Sequence, residues 1–233
     1  MLGLIGAMPE EVELLQQAME DKQEFHRAGL NLYKGTIQGV PAVVTCAGIG
    51  KVNAAMCAQI LISEYKVSTL INTGVAGGVA PEVHVGDVVI STDAMYHDFD
   101  TTALGTPPGQ IAGMETSVFP ADPKLQTLAA DACRGLLPEE SCHKGRIVSG
   151  DQFIRGQEKR RWIYDTFHAC CTEMEGAAIA HVAACNQVPF LIVRTISDGA
   201  CEEASMDFET FKGIAIRTGT NILMKLFANG VGK

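Results

Sequence analysis

Apolar positions fall into short runs separated by glycine-rich breaks and by stretches of helical spacing. Leu2 to Ala7 is apolar and contains glycine, which reads as a buried strand running into a loop. From Glu10 to Met19, Val12, Leu14, Leu15 and Ala18 recur at mixed three- and four-residue intervals, the period of a helix. Leu30 to Gln38 and Val40 to Cys46 flank Gly39 and predict a hairpin. Helix follows from Val52 to about Tyr65, and Thr69 to Thr73 is a strand that ends in the turn Gly74-Val75-Ala76-Gly77-Gly78. Further strands are expected over Val85 to Ser91, Lys144 to Ser149, Cys170 to Met174 and Pro189 to Ile196. Further helices are expected over Asp122 to Leu136, Glu158 to Thr166, Gly176 to Cys185 and Phe208 to Phe227. Asp122 and Pro123 are the residue types favoured at a helix N-cap and first position. Thr101 to Ser117, rich in proline and glycine, reads as a long loop. The alternation, with no linker or repeat, implies one α/β domain over residues 1–233 with some antiparallel hairpin content.

Composition narrows the class. A chain of 233 residues with 47% apolar and 19% charged residues is globular in type. A chain this long buries roughly 70–75% of its unfolded surface, so it needs no metal or disulfide staple to fold. The formal charge of −9 disfavours nucleic acid and anionic membrane as partners. The N-terminus has no basic leader and turns acidic at once, unlike a signal peptide. None of the eight cysteines forms a CxxC pair, and they read as reduced thiols used as small apolar residues, so cytoplasm is the expected compartment.

Candidate chemistry sits at strand ends. Gly48-Ile49-Gly50-Lys51 and Gly74 to Gly78 match no nucleotide-binding fingerprint, yet two glycine-rich turns at strand ends favour a pocket over mere turn geometry. Glu10 and Glu11 taken alone read as a solvated helix N-terminus. Glu173-Met174-Glu175, read as extended chain, puts both acids on one face. They suit a structural salt bridge and a ligand contact about equally. Phe190 to Asp198 is an interior strand with Arg194 inside it and Asp198 at its carboxyl end, either an N-cap for the next turn or a desolvated general acid. His97-Asp98-Phe99-Asp100 lacks metal-ligand spacing and reads as a polar loop.

Six segments occur in order: Gly6-Ala7-Met8-x-Glu10-Glu11, Gly48-Ile49-Gly50-Lys51, Asn72-Thr73-Gly74-x-Ala76-Gly77-Gly78, Ser149-Gly150-Asp151-x-Phe153-Ile154, Glu173-Met174-Glu175 and Arg194-x-Ile196-Ser197-Asp198. Together they resemble the 5′-methylthioadenosine/S-adenosylhomocysteine nucleosidases of the purine nucleoside phosphorylase superfamily over nearly the whole chain. The resemblance implies a three-layer α/β/α domain with a mixed, partly barrel-like sheet. It implies a homodimer, a small-molecule nucleoside substrate, and no cofactor or metal. It casts Glu11 as the base for the attacking water and Asp198 as the acid that protonates adenine N7. Glu175 then holds the ribose hydroxyls, Met174 packs under the ribose, Phe153 stacks on adenine, and the backbone of Ile154 reads the adenine edge. Met8, Ile49 and Phe208 form apolar walls. An acid/base division of this kind calls for environments that push the pKa values of Glu11 and Asp198 apart, with Asp198 raised by desolvation.

Three positions depart from the pattern: Val75 where some members carry serine near the acid, and Thr101 and Leu104 where some carry valine and phenylalanine. A phosphorylase is the nearest rival, but it needs arginine for phosphate, and the first arginine here is Arg27. A futalosine or aminofutalosine nucleosidase shares the same carboxylates. A non-catalytic nucleoside-binding protein has no need to keep both Glu11 and Asp198.

Overall fold

The computed structural model describes residues 1–201 and 204–232. The chain opens with β1 (Leu2–Gly6), buried throughout, and α1 (Pro9–Gln17). Pro9 suits the first helical turn, and the Glu11 carboxylate folds back to accept from the Met8 N–H at 2.9 Å, which satisfies a donor the helix itself cannot. Next come β2 (Glu20–Arg27), β3 (Leu30–Ile37) and β4 (Val40–Cys46), an antiparallel meander. β2 is absent from the sequence reading because all eight of its residues are exposed, so it carries no buried alternation.

After α2 (Lys51–Ser63) runs β5 (Thr69–Gly78), which corrects the expected turn at Gly74 to Gly78: the glycines are its second half. Small residues let neighbouring side chains crowd this stretch where it leaves β1. β6 (Val88–Tyr96), β7 (Phe119–Pro120), α3 (Pro123–Arg134) and β8 (Cys142–Ser149) follow, then α4 (Gln157–Phe167), β9 (Ala169–Glu173), α5 (Gly176–Cys185), β10 (Phe190–Asp198) and α6 (Ala204–Ala228).

β5, β10, β6, β8 and β9 pair in turn and close on one another as a five-stranded ring. From β5 the sheet continues through β1, β4, β3 and β2. β5 serves both parts: Thr69 to Asn72 pair with β1, while Gly77 and Gly78 pair with β9. A methyl group at Gly3 of β1 would meet Leu61 of α2, and one at Gly6 would meet Val12 of α1. Positions three apart on a strand face opposite ways, so α1 and α2 cover opposite faces. α6 packs with α1, α3 and β10, and α5 with α2 and β8, which completes three layers. The core between them includes Leu4, Ile5, Val43, Val44, Ile71, Leu191 and Ile192. Among the described residues no helix is long and apolar enough to cross a membrane, and no group of three or more His, Cys, Asp or Glu is placed to hold a metal ion.

Candidate active site

A cavity opens where the carboxyl ends of β1, β5, β9 and β10 meet the loops after β4 and β8 and the start of α6, the usual position for ligands in an α/β sheet. Met8, Glu11, Ile49, Phe153, Ile154, Met174, Glu175, Asp198 and Phe208 all line it. Its wall also includes Val75 and Glu173, from segments the sequence marked as candidate chemistry, and Gln152, Thr172 and Ser197, none of which the sequence reading assigned a place in a pocket. Thr101 and Leu104 are not among its lining residues, and Leu104 is strongly exposed.

Helix N-termini hold three of the four carboxylates. Glu11 lies in the first turn of α1, where its Oε2 accepts from the N–H groups of Ala7 at 2.7 Å and Met8 at 2.9 Å, and its Oε1 from Val75 at 3.1 Å. Glu175 Oε1 accepts from Gly50 N–H at 2.8 Å, at the start of α2. Glu173 accepts from Glu175 N–H at 3.1 Å and Gly176 N–H at 2.8 Å, at the start of α5, and from the Ser149 hydroxyl. The partial positive charge and unpaired donors of a helix start favour each placement. The expected extended geometry of Glu173 to Glu175 is corrected here. β9 stops at Glu173, and Glu175 leaves the strand with φ −133° and ψ −40° to begin α5. Glu173 therefore forms the structural salt bridge with Arg194 while Glu175 meets a different helix.

Arg194 is the largest fully buried side chain. Its guanidinium donates to Asn72 Oδ1 at 2.6 Å and to Glu173, and lies 3.8 Å from Glu175 Oε2. It also approaches Glu11 beneath β5. A side chain at Gly74 would overlap both Arg194 Nη1 and Glu11, so only glycine lets the pair sit there. Three buried carboxylates thus share one guanidinium, an excess of negative charge in a poorly solvated space. Burial is the main force raising the Glu11 carboxyl, opposed by the Arg194 charge and the three N–H donors. Burial also raises Glu175, to about 7, with the Glu173 charge adding to it and Arg194 opposing.

Asp198 lines the same cavity. Its Oδ1 accepts from Ala200 N–H at 2.9 Å and its Oδ2 from the Ser197 hydroxyl at 3.0 Å. Asp198 orders the following turn, and it also lines the cavity. Ser197 supplies a hydroxyl to an acid that has valine at position 75, and Val75 itself serves Glu11 through its backbone. Burial raises Asp198, opposed by those two donors. The expected separation of Glu11 from Asp198 is therefore not one of direction, since both move up; Glu11 has more groups that favour its charged form. At the rim Phe153 is 50% exposed and meets Phe208 edge-on, ring centroids 5.9 Å apart, leaving an aromatic face open.

The model of the phosphorylase superfamily matches residues 1–228. A 5′-methylthioadenosine/S-adenosylhomocysteine nucleosidase from Neisseria meningitidis, solved with methylthio-immucillin-A, is 36% identical, with TM-score 0.92 over 97% of each chain. Its counterpart from S. pneumoniae, solved with a transition-state inhibitor, is 38% identical, with TM-score 0.90 over 97% of each chain. The chain belongs to the phosphorylase superfamily, among its methylthioadenosine/S-adenosylhomocysteine nucleosidases. A futalosine hydrolase mutant from Helicobacter pylori is also similar, 28% identical with TM-score 0.92, covering 97% of this chain and 98% of that one. The first two relatives are nucleosidases by name, and the cavity described above carries the carboxyl groups of Glu11, Glu173, Glu175 and Asp198 in one lining.

Proposed function

We propose that the protein hydrolyses the N-glycosidic bond of 5′-methylthioadenosine and S-adenosylhomocysteine. Water adds at the anomeric carbon, the bond to adenine breaks, and adenine leaves with methylthioribose or S-ribosylhomocysteine as the other product. In this reading Glu11 takes the proton of the attacking water, and Asp198 gives one to adenine N7 so that the base leaves neutral. Glu175 holds the 2′- and 3′-hydroxyls, with Met174 under the ribose. Phe153 stacks on the adenine, and the Ile154 backbone reads its edge. Met8, Ile49 and Phe208 form apolar walls of the ribose and 5′-alkylthio pockets. An oxocarbenium-like transition state between two carboxyl groups follows the logic of sugar glycosidases.

One observation carries the choice of water over phosphate. Glu11, Glu173, Glu175 and Asp198 line the cavity, and none of its described lining residues is Lys, Arg or His. Arg194 is not among the lining residues, and its Nη2 donates to Asn72 and Glu173. Such a lining repels a phosphate nucleophile.

The second reading is a futalosine or aminofutalosine nucleosidase, supported by the likeness to the H. pylori enzyme. Offering methylthioadenosine, S-adenosylhomocysteine and aminofutalosine side by side separates the two. The highest kcat/KM is expected on the first two, and a preference for aminofutalosine would replace the substrate assignment. We further propose a cytoplasmic homodimer in which the loop from Thr101 to Ser117 closes the partner's 5′ pocket, on the grounds of loop length and family resemblance.

A further inference from the structure

Lys51 lies at the start of α2, outside the cavity, and three strand-end loops converge on it. Its Nζ lies 2.6 Å from Asp98 Oδ2 and 2.7 Å from Oδ1, just beyond β6, and 3.7 Å from Asp151 Oδ2, just beyond β8. Its backbone N–H donates to Asp151 Oδ1 at 2.8 Å, and Asp151 N–H donates to Asp98 Oδ2 at 2.9 Å. The ammonium also stands 5.4 Å from the centre of the Tyr96 ring. Lys51 and Asp98 are only 23% and 15% exposed, so solvent screens this pair less than an ordinary surface pair.

The loops so tied are those that shape the cavity. Ile49 and Gly50 precede Lys51, and Gly50 N–H holds Glu175. Gly50 has φ +99°, which suits glycine, and a side chain there would press on Asp151. Phe153 follows Asp151 by two residues. We infer that Lys51 is a positioning residue, an ionic staple that holds the Gly50 N–H against Glu175 and sets the loop bearing Phe153, and so governs how well the nucleoside is bound. The inference rests on the roles proposed above for Glu175 and Phe153.

The experiment compares Lys51→Met, which keeps length and loses charge, with Lys51→Arg and the wild type, and adds Asp98→Asn in case Lys51→Met does not fold. KM and kcat are read on methylthioadenosine, and hydrogen exchange is read in the free proteins over residues 48–53 and 150–154. Lys51→Met and Asp98→Asn should lower kcat/KM by on the order of ten- to a hundredfold, mostly through KM, because misplacement of binding groups acts on substrate and transition state together. Both segments should exchange faster, and Lys51→Arg should restore most of each effect. A fall in melting temperature with KM and exchange unchanged, or an Arg variant no better than Met, would overturn the staple. A wild type that releases no adenine would sink the proposed function instead, and the exchange data would still decide the staple.

Discussion

The proposed reaction needs Glu11 and Asp198 in opposite protonation states, and both sit where burial discourages charge. Asp198→Asn can still hydrogen-bond to a purine nitrogen but cannot protonate it. Its single-turnover rate should fall by ~10²–10⁴-fold while substrate affinity persists, as expected when a general acid is removed. Glu11→Gln should behave alike, since the water loses its base. Glu175→Gln should lose affinity as well as rate, because a ribose contact is made in both states. Near-normal turnover by Asp198→Asn would remove that residue from its role. Glu175 also predicts a pH effect on stability. Its carboxyl rises from an ordinary 4.5 to about 7 on folding, so the folded chain binds this proton more tightly than the unfolded one. That contribution is full below pH 4.5 and lost as pH rises through about 7. Glutamine does not titrate, so the stability of Glu175→Gln relative to wild type should climb across that window, by up to ~3 kcal/mol, and then level off. A flat difference in paired melting curves would contradict it. Eight of the nine residues expected at the cavity stand in short motifs at strand ends, which made them legible; Phe208 lies in α6 and was reached through the resemblance alone. The pairing of Glu173 with Arg194 was not legible, because residue order cannot say which of two acids a strand end turns toward a buried guanidinium.

At the scale of elements, three helix starts each receive a carboxylate from the site, so the helices orient the chemistry as well as cover the sheet. α3 shows the same physics away from the cavity. Asp122 accepts from Lys124 and Leu125 N–H, both at 2.9 Å, and Asp122→Ala should cost about 1 kcal/mol in urea unfolding without altering kcat/KM. No loss of stability would show the cap to be redundant. Proline and aspartate made this helix start readable, and the apolar runs of β1, β4 and β10 made those strands readable. β2 was hidden because its evidence lies in pairing with β3 and not in its own residues. The second half of β5 was hidden because glycine normally marks a turn, whereas here it admits Arg194 and Glu11 against the backbone.

For the whole molecule, the ring and its extension share β5, so unfolding one part exposes the other. We propose one domain over residues 1–233, and a single thermal transition is the expected outcome. The proposed dimer predicts that sedimentation at assay concentration finds the active species larger than one chain, and a fully active monomer would remove it. A cavity lined by carboxylates should use water and not phosphate as the nucleophile. Methylthioadenosine incubated with the enzyme in rigorously phosphate-free buffer should yield adenine and free methylthioribose, at a rate that added phosphate does not raise. A strict phosphate requirement, with methylthioribose 1-phosphate as the product, would contradict it.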